Sequence, residues 1–175
     1  MQQLRLSGTG GQGLILGGII LAEAALLDGK LAIQSQSYGP EARGGSSKSE
    51  VIISDKAIHY PKIDEPDLIL SMSQESCKKY TTDMHANTIL ITDSLFVQEL
   101  PANHTGKLYQ LPITHTAKEQ LGKALFANII ALGALVKITG VVSKESLIKA
   151  VLARVPKGTE ALNEKAIQLG MDMIQ

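Results

Sequence analysis

The feature that most constrains the fold is a glycine-rich turn near the start of the chain, between an apolar strand and an apolar helix. Leu4-Arg5-Leu6 predicts the strand, and residues 14–27 repeat apolar side chains over several helical turns. The turn between them contains Gly8, Gly10, Gly11, Gln12 and Gly13. A strand joined so closely to a helix is typical of the opening unit of an α/β fold.

The spacing of Gly8, Gly10 and Gly13 matches the dinucleotide-binding fingerprint. Such glycines let backbone N–H groups approach an anion, and the positive end of the following helix favours a phosphate or carboxylate. A nicotinamide-binding unit also places an acidic residue at the end of its second strand. This chain has Gln34, Ser35, Gln36 and Ser37 there. The motif alone therefore leaves open whether the glycines bind an anion or only form a tight turn.

A second glycine-rich segment follows the second predicted strand, which begins at residues 31–33. It consists of Tyr38, Gly39, Pro40, Glu41, Ala42, Arg43, Gly44 and Gly45. Arginine suits a bidentate contact with a carboxylate or phosphate, but Glu41 and Arg43 can equally pair with each other on a solvated loop. Loops that follow neighbouring strands of an open α/β sheet line one crevice, where ligands usually bind. We expect the two early strands to be neighbours and the two loops to meet.

The rest of the chain predicts further strands and then a helical part. Strands are expected at residues 50–54, 67–71, 88–92 and, at an edge, 109–112, and helices at 116–140, after Ser143, and at 159–173. The fold class is therefore α/β, a layered single domain spanning residues 1–175 with a largely parallel or mixed sheet and a helical C-terminal part. Residues 124–138 are apolar on nearly every side, so this helix is either central to the core or covered by another chain. Asn128 within it needs hydrogen-bond partners if it is buried.

Composition excludes several classes of function. Lys plus Arg and Asp plus Glu both number 17, and aromatics make up 3%, which argues against a nucleic-acid partner. Cys77 is the only cysteine, so the chain cannot form an internal disulfide or hold an iron–sulfur cluster, and we expect a cytoplasmic location. The most apolar stretch contains Glu23 and is too short for a membrane span. The four histidines lack metal-site spacing, and we assign no catalytic residue and no metal ligand.

The two glycine motifs in this order resemble one known family. Gly8-x-Gly10-Gly11-Gln12-Gly13, then Tyr38-Gly39-Pro40-Glu41-Ala42-Arg43-Gly44-Gly45, then Ser49-Glu50-Val51-Ile52-Ile53-Ser54 are similar to the gamma subunit, or gamma domain, of 2-oxoacid:ferredoxin oxidoreductases. Asn128 ahead of Leu132-Gly133 is similar too. The resemblance covers essentially the whole chain, and its second motif is closest to 2-oxoglutarate-type enzymes, with pyruvate enzymes in the same family.

The resemblance implies a reaction and a set of partners. The reaction is oxidative decarboxylation of a 2-oxoacid with coenzyme A, giving acyl-CoA, carbon dioxide and reduced ferredoxin. Thiamine diphosphate, its Mg²⁺ and the iron–sulfur clusters are expected on alpha, beta and often delta subunits, because this chain lacks the Gly-Asp-Gly…Asn magnesium motif and the cysteines. The isolated chain is expected to be inactive. Its two glycine motifs would face the partner active site and shape the entry for coenzyme A, with Arg43 facing an anionic group.

Two other functions remain as alternatives. The first is a free-standing NAD(P)-dependent oxidoreductase that uses the Gly8–Gly13 turn, against which the missing ribose acid counts. The second is a homo-oligomeric scaffold that binds no ligand. It predicts that removal of residues 38–45 leaves both assembly and activity intact.

Overall fold

The computed structural model describes residues 1–37 and 45–175, and its centre is a six-stranded sheet. The strands are β1 (Gln2–Thr9), β2 (Leu31–Ser37), β3 (Ser46–Ser54), β4 (Leu68–Ser71), β5 (Ile89–Asp93) and β6 (Leu108–Leu111). Their order across the sheet is β2-β3-β1-β4-β5-β6. Strands β1, β4, β5 and β6 are parallel, whereas β3 is antiparallel to both β1 and β2. The predicted α/β class with a mixed sheet is confirmed.

The strand directions bring many chain segments to one edge of the sheet, which we call the carboxyl edge. Because β1 and β2 are both antiparallel to β3, they run in the same direction, and their carboxyl ends lie beside the start of β3. The carboxyl ends of β4, β5 and β6 lie there as well. The expectation that β1 and β2 are neighbours is wrong, because β3 lies between them. Gly45, the last residue of the second glycine segment, still lies beside the end of β1, since it leads directly into β3.

Six α-helices in the described part of the chain cover the sheet. They are α1 (Leu14–Leu27), α2 (Gln74–Tyr80), α3 (Ile113–Leu121), α4 (Ala127–Thr139), α5 (Lys144–Leu152) and α6 (Glu160–Asp172), with a 3₁₀ turn at Ala124–Phe126. Helix α1 packs on β1, β2 and β3, and α4 packs against α6. The side chain of Leu6 faces Gly17 of α1, while its neighbour Arg5 contacts the carbonyl of Tyr80 in α2. Successive strand residues point to opposite faces, so α1 and α2 lie on opposite faces of the sheet.

The main core lies between the sheet and helices α1 and α4. Leu4, Leu6, Leu68 and Leu70 from the strands are fully buried. In α4, the fully buried side chains are Ile130, Ala131, Leu132, Ala134 and Leu135. Of the two explanations for this apolar helix, burial within the chain's own core is therefore the correct one.

The helix predicted at residues 116–140 is interrupted in the structure. Helix α3 ends at Leu121 because Gly122 follows with a φ of 77°, a left-handed conformation that ends helices. The 3₁₀ turn follows, and α4 begins only at Ala127. Within the described residues, no helix is both long and apolar enough to span a lipid bilayer.

Candidate functional site

The side chain of Gln12 folds back into the glycine-rich turn and closes it. Its Oε1 atom accepts a hydrogen bond from the backbone N–H of Thr9 at 2.7 Å, and its Nε2 atom donates to the carbonyl of Met72 at 3.0 Å. A Cβ at Gly8 would clash with Gln12 Oε1, so glycine at this position leaves room for the Gln12 side chain where it stands. Gln12 thereby ties the end of β1 to the end of β4.

Gly13 joins the turn to helix α1 and to α4. Its φ of 77° is left-handed, and it occupies the N-cap position of α1. The carbonyl oxygen of Gly13 accepts hydrogen bonds from the backbone N–H of Gly17 at 3.0 Å and from Asn128 Nδ2 at 3.3 Å. Asn128 is 8% exposed and is the second residue of α4. Helix α4 is therefore fixed to the turn through one buried amide.

Gly10 links the two glycine-rich segments. Its backbone N–H donates to the carbonyl oxygen of Gly45 at 3.1 Å. The structure thus brings Gly45 together with the Gly8–Gly13 turn at the carboxyl edge. The other predicted site residues of the second segment lie outside the described residues: Tyr38, Gly39, Pro40, Glu41, Arg43 and Gly44.

The surroundings of the turn differ from those of a nicotinamide site. In a dinucleotide-binding unit the second strand lies parallel to the first and directly beside it, with its ribose acid close to the turn. Here β3 occupies that place and runs antiparallel to β1. In β2, the side chain of Gln34 donates to Ser49 Oγ at 2.9 Å. Three of the turn's N–H groups, those of Thr9, Gly10 and Gln12, are already used within the protein.

A groove of about 370 Å³ opens beside the turn, and we call it the turn groove. Its lining residues are Gly11, Gln12, Met72, Phe96, Thr114, Lys118, Ala124, Leu125 and Ala127. Lys118 is the only charged side chain in this described lining. The groove is therefore mostly apolar, with one cation at its border.

A second cleft of about 620 Å³ lies on the α2 face, beside the last described residues of β2. Its charged lining residues are Arg5, Lys48, Lys62, Glu50 and Asp83. Cations and carboxylates are mixed in this lining, so charge alone does not select an anion or a cation.

Arg5 is the most constrained charged residue of this cleft. It is 4% exposed, donates from Nε to Glu50 at 2.8 Å, and forms a bidentate pair with Asp83 at 2.6 and 2.8 Å. Burial by itself lowers the pKa of Arg5, but hydrogen bonds to Asp83 and Glu50 outweigh burial and raise it above its usual value. The hydrogen bonds from Arg5 in turn lower the pKa of Asp83. Sequence analysis missed this cluster, although a charged residue inside an apolar strand was the available signal.

The single thiol of the chain, that of Cys77, is buried. Cys77 is 1% exposed, and burial raises the pKa of its thiol despite a hydrogen bond to Ser71. Lys78 and Lys79 therefore do not make it a ready thiolate. Among the described residues, no group of three or more histidine, cysteine or acidic side chains is arranged to hold a metal ion.

Comparison with known proteins identifies close relatives over nearly the whole chain. The family model described as pyruvate ferredoxin/flavodoxin oxidoreductase matches residues 3–173. The 2-oxoglutarate synthase subunit KorC of Methanocaldococcus jannaschii is 46% identical over 98% of this chain and 93% of its own length. The gamma subunit of a keto/oxoacid ferredoxin oxidoreductase from Geobacter sulfurreducens is 50% identical, with a TM-score of 0.89 over 99% of this chain and 98% of that chain.

A more distant relative shares the fold within a longer polypeptide. A 2-oxoglutarate:ferredoxin oxidoreductase from Magnetococcus marinus, solved with 2-oxoglutarate, coenzyme A and succinyl-CoA bound, matches with a TM-score of 0.87 and 21% identity. The match covers 98% of this chain but only 30% of that chain. At this identity the likeness shows the fold alone, here as one part of a larger protein.

Proposed function

The chain belongs to the pyruvate ferredoxin/flavodoxin oxidoreductase family as a gamma subunit, and on that premise we propose that it serves an enzyme acting on 2-oxoglutarate. That enzyme oxidatively decarboxylates the 2-oxoacid with coenzyme A, and forms acyl-CoA, carbon dioxide and reduced ferredoxin. Residues 1–175 act as one gamma-subunit domain. The preference for 2-oxoglutarate over pyruvate rests on the name of the 46% identical archaeal relative and on the resemblance of the second glycine motif.

The cofactors of the reaction are proposed to lie on partner subunits. One cysteine, buried as Cys77, does not suffice to ligate an iron–sulfur cluster. Thiamine diphosphate with its Mg²⁺ and the clusters are assigned to alpha, beta and delta subunits of a cytoplasmic complex, with ferredoxin as electron acceptor. This chain then contributes shape and positioned backbone groups, and no group that reacts covalently.

The role proposed for this chain is to shape the entry of coenzyme A to the partner active site. The observation that supports it is the hydrogen bond from Gly10 N–H to the Gly45 carbonyl, because it brings the last residue of the second glycine-rich segment to the turn at the carboxyl edge. Ligands of open α/β sheets bind at that edge. Arg43, just before this junction in sequence, is assigned to an anionic group of coenzyme A, since a guanidinium binds phosphate in a bidentate manner.

The experiment that tests this role is Arg43→Ala in the assembled enzyme. We expect the KM for coenzyme A to rise about tenfold or more with a smaller change in kcat, because a charge-assisted contact is lost. Arg43→Lys should recover only part of the affinity. Arg154→Ala, which removes an exposed arginine paired with Glu23, is the matched control and should leave the KM unchanged. An unchanged coenzyme A KM and turnover in Arg43→Ala would show that the role is wrong.

Substrate and partners are tested by gentle anaerobic purification of the tagged chain from its native host. We expect thiamine- and cluster-binding subunits to copurify, and coenzyme A-dependent dye reduction to be faster with 2-oxoglutarate than with pyruvate. A chain that emerges alone and binds NAD(H) with micromolar affinity would instead support the free-standing oxidoreductase. The geometry of the turn argues against that alternative, because β3 lies where the ribose-binding strand belongs.

A further inference from the structure

Three large apolar side chains stand exposed around the turn groove. Leu95, Phe96 and Leu125 are 42%, 43% and 73% exposed, respectively. We call them the apolar rim. Phe96 and Leu125 line the groove itself, and Leu95 is the neighbour of Phe96 in the chain. Contiguous exposed apolar side chains beside a groove are typical of a surface that another molecule covers.

Both chain segments of the rim are fixed in position by buried neighbours. Leu125 lies in the 3₁₀ turn Ala124–Phe126, and the adjacent Phe126 is only 6% exposed. On the other side, the fully buried carboxylate of Asp93 accepts hydrogen bonds from Leu95 N–H at 3.2 Å and from Thr114 N–H at 3.1 Å. Val97, directly after Phe96, is 1% exposed. The fold therefore presents the rim outward on anchored backbone.

The size of the exposed surface favours a protein over a small ligand. Leu125 lines a groove of about 370 Å³ and is 73% exposed, which is more surface than we expect a small molecule in the groove to cover. A protein surface can cover the groove and its rim together, as apolar anchors do at the centre of subunit interfaces. The rim also adjoins Gly11 and Gln12 of the turn that is proposed to face a partner subunit.

The positive charge at the border of the turn groove indicates that its occupant carries a negative charge. Lys118 is the only charged side chain among its described lining residues, and Lys123 lies exposed just before the 3₁₀ turn. A carboxylate in the occupant would pair with this cation. A second copy of the chain docked through a twofold axis would instead place the same cations near each other.

We propose that the turn groove and the apolar rim form the docking surface for an apolar, carboxylate-bearing segment of the thiamine-holding partner subunit. This inference rests on the proposed function, which supplies that partner. The partner segment covers Phe96 and Leu125, and its carboxylate faces Lys118.

The test compares two double variants in subunit assembly. Phe96→Gln/Leu125→Gln removes apolar surface from the rim, and Leu26→Gln/Leu27→Gln removes it from two other exposed leucines, which are 60% and 55% exposed. The control residues lie at the far end of α1, about 20 Å along the helix from the turn. Each tagged full-length chain is expressed in the native host, and the partner subunits recovered with it are quantified without added coenzyme A or 2-oxoacid. Thermal unfolding verifies that both variants fold.

We expect the rim variant to bind its partner subunits about tenfold more weakly or worse, and the control variant to bind as wild type does. Lys118→Glu should also weaken assembly, and Lys137→Glu, at an exposed position elsewhere, should not. Wild-type recovery of partners by the rim variant overturns the proposal, as does equal loss in both double variants. A self-association of the isolated chain that the rim variant abolishes would identify a second copy as the occupant and overturn it too.

The result of this assembly test can be distinguished from the result of the coenzyme A test. Normal assembly of the rim variant with a raised coenzyme A KM would make the groove a ligand site, which contradicts docking and leaves the proposed function intact. Weak assembly of the rim variant, together with an Arg43→Ala enzyme of unchanged coenzyme A KM, would support docking while the proposed coenzyme A role fails.

Discussion

The carboxylate of Asp28, at the end of α1, accepts a hydrogen bond from the backbone N–H of Ser143, at the start of α5, at 2.6 Å. It also accepts hydrogen bonds from the hydroxyls of Ser143 at 2.7 Å and Ser146 at 2.5 Å. Ser143 Oγ in turn accepts from Ser146 N–H and caps α5. One carboxylate thus joins the first helix to the C-terminal helices across more than a hundred residues of sequence.

We predict that Asp28→Asn destabilises the protein at neutral pH and that the loss shrinks in acid. Burial by itself raises the pKa of Asp28, but hydrogen bonds from Ser146 and Ser143 lower it below its usual value. A lowered folded-state pKa gives stability that is present above the unfolded-state pKa and is lost as pH falls through the folded-state pKa. The expected loss at pH about 7 is about 1–3 kcal/mol of unfolding free energy.

Urea denaturation of the wild type and Asp28→Asn over a pH series measures this effect. Asp55→Asn, at an exposed position, is the control and should change stability little at any pH. A difference between wild type and Asp28→Asn that stays constant down to pH about 2 would contradict a role for the ionised carboxylate.

The Arg5 cluster gives a second prediction. Arg5→Met should lower the unfolding free energy by about 3 kcal/mol, because it leaves Glu50 without the buried cation that it contacts. Arg154→Met is the control, since it breaks an exposed pair with Glu23 that is expected to contribute little to stability. Denaturant unfolding measures both, and Glu50→Gln added to Arg5→Met should recover part of the loss. Equal costs for the two arginine variants would show that burial of the Arg5 pair does not matter.

Local sequence patterns predicted the strands and helices of this fold better than they predicted which strands pair with each other. The strand, turn and helix around Gly8–Gly13 follow from glycine positions and apolar periodicity, which act over a few residues. The insertion of β3 between β1 and β2 depends on pairings such as Leu4 with Val51, which local periodicity does not encode. The break at Gly122 was missed because the amphipathic stretch before it and the apolar stretch after it both predict helix and outweighed one residue.

In the candidate site, too, the local features could be predicted from the sequence and the long-range contacts could not. The turn glycines could be predicted because a close backbone approach requires them at fixed spacing. The contacts that give the turn its shape could not, since Gln12 reaches the carbonyl of Met72 and Gly10 reaches Gly45 across the sheet. The contacts of Arg5 to Asp83 and Tyr80 likewise depend on chain segments more than seventy residues away.

The crossing of α4 and α6 gives a third prediction. A Cβ at Gly170 would overlap the Ile130 carbonyl oxygen, and a Cβ at Gly133 would overlap the Ile167 carbonyl oxygen. The two backbones therefore approach so closely that neither helix tolerates a methyl group there. Gly170→Ala should cost about 1–3 kcal/mol despite its better helix propensity, because the helices must move apart. Thermal unfolding measures it, and Glu164→Ala on the exposed face of α6 should have little effect. A stabilised Gly170→Ala would contradict the close crossing.

The last prediction concerns Gln12, whose side chain closes the turn. Gln12→Met keeps the length of the side chain but removes both the acceptor for Thr9 N–H and the donor to the Met72 carbonyl. We expect a loss of about 1–3 kcal/mol in unfolding free energy, because the Thr9 N–H and the Met72 carbonyl both lose their hydrogen bond to the Gln12 amide. Because the turn then no longer holds its shape beside Gly45, the coenzyme A KM of the assembled enzyme should also rise. Gln98→Met, which removes an exposed amide that bonds to Ser94, is the control for both measurements. A less stable Gln12→Met chain whose enzyme keeps a normal coenzyme A KM would confine the turn to a scaffolding role and contradict its placement at the coenzyme A entry.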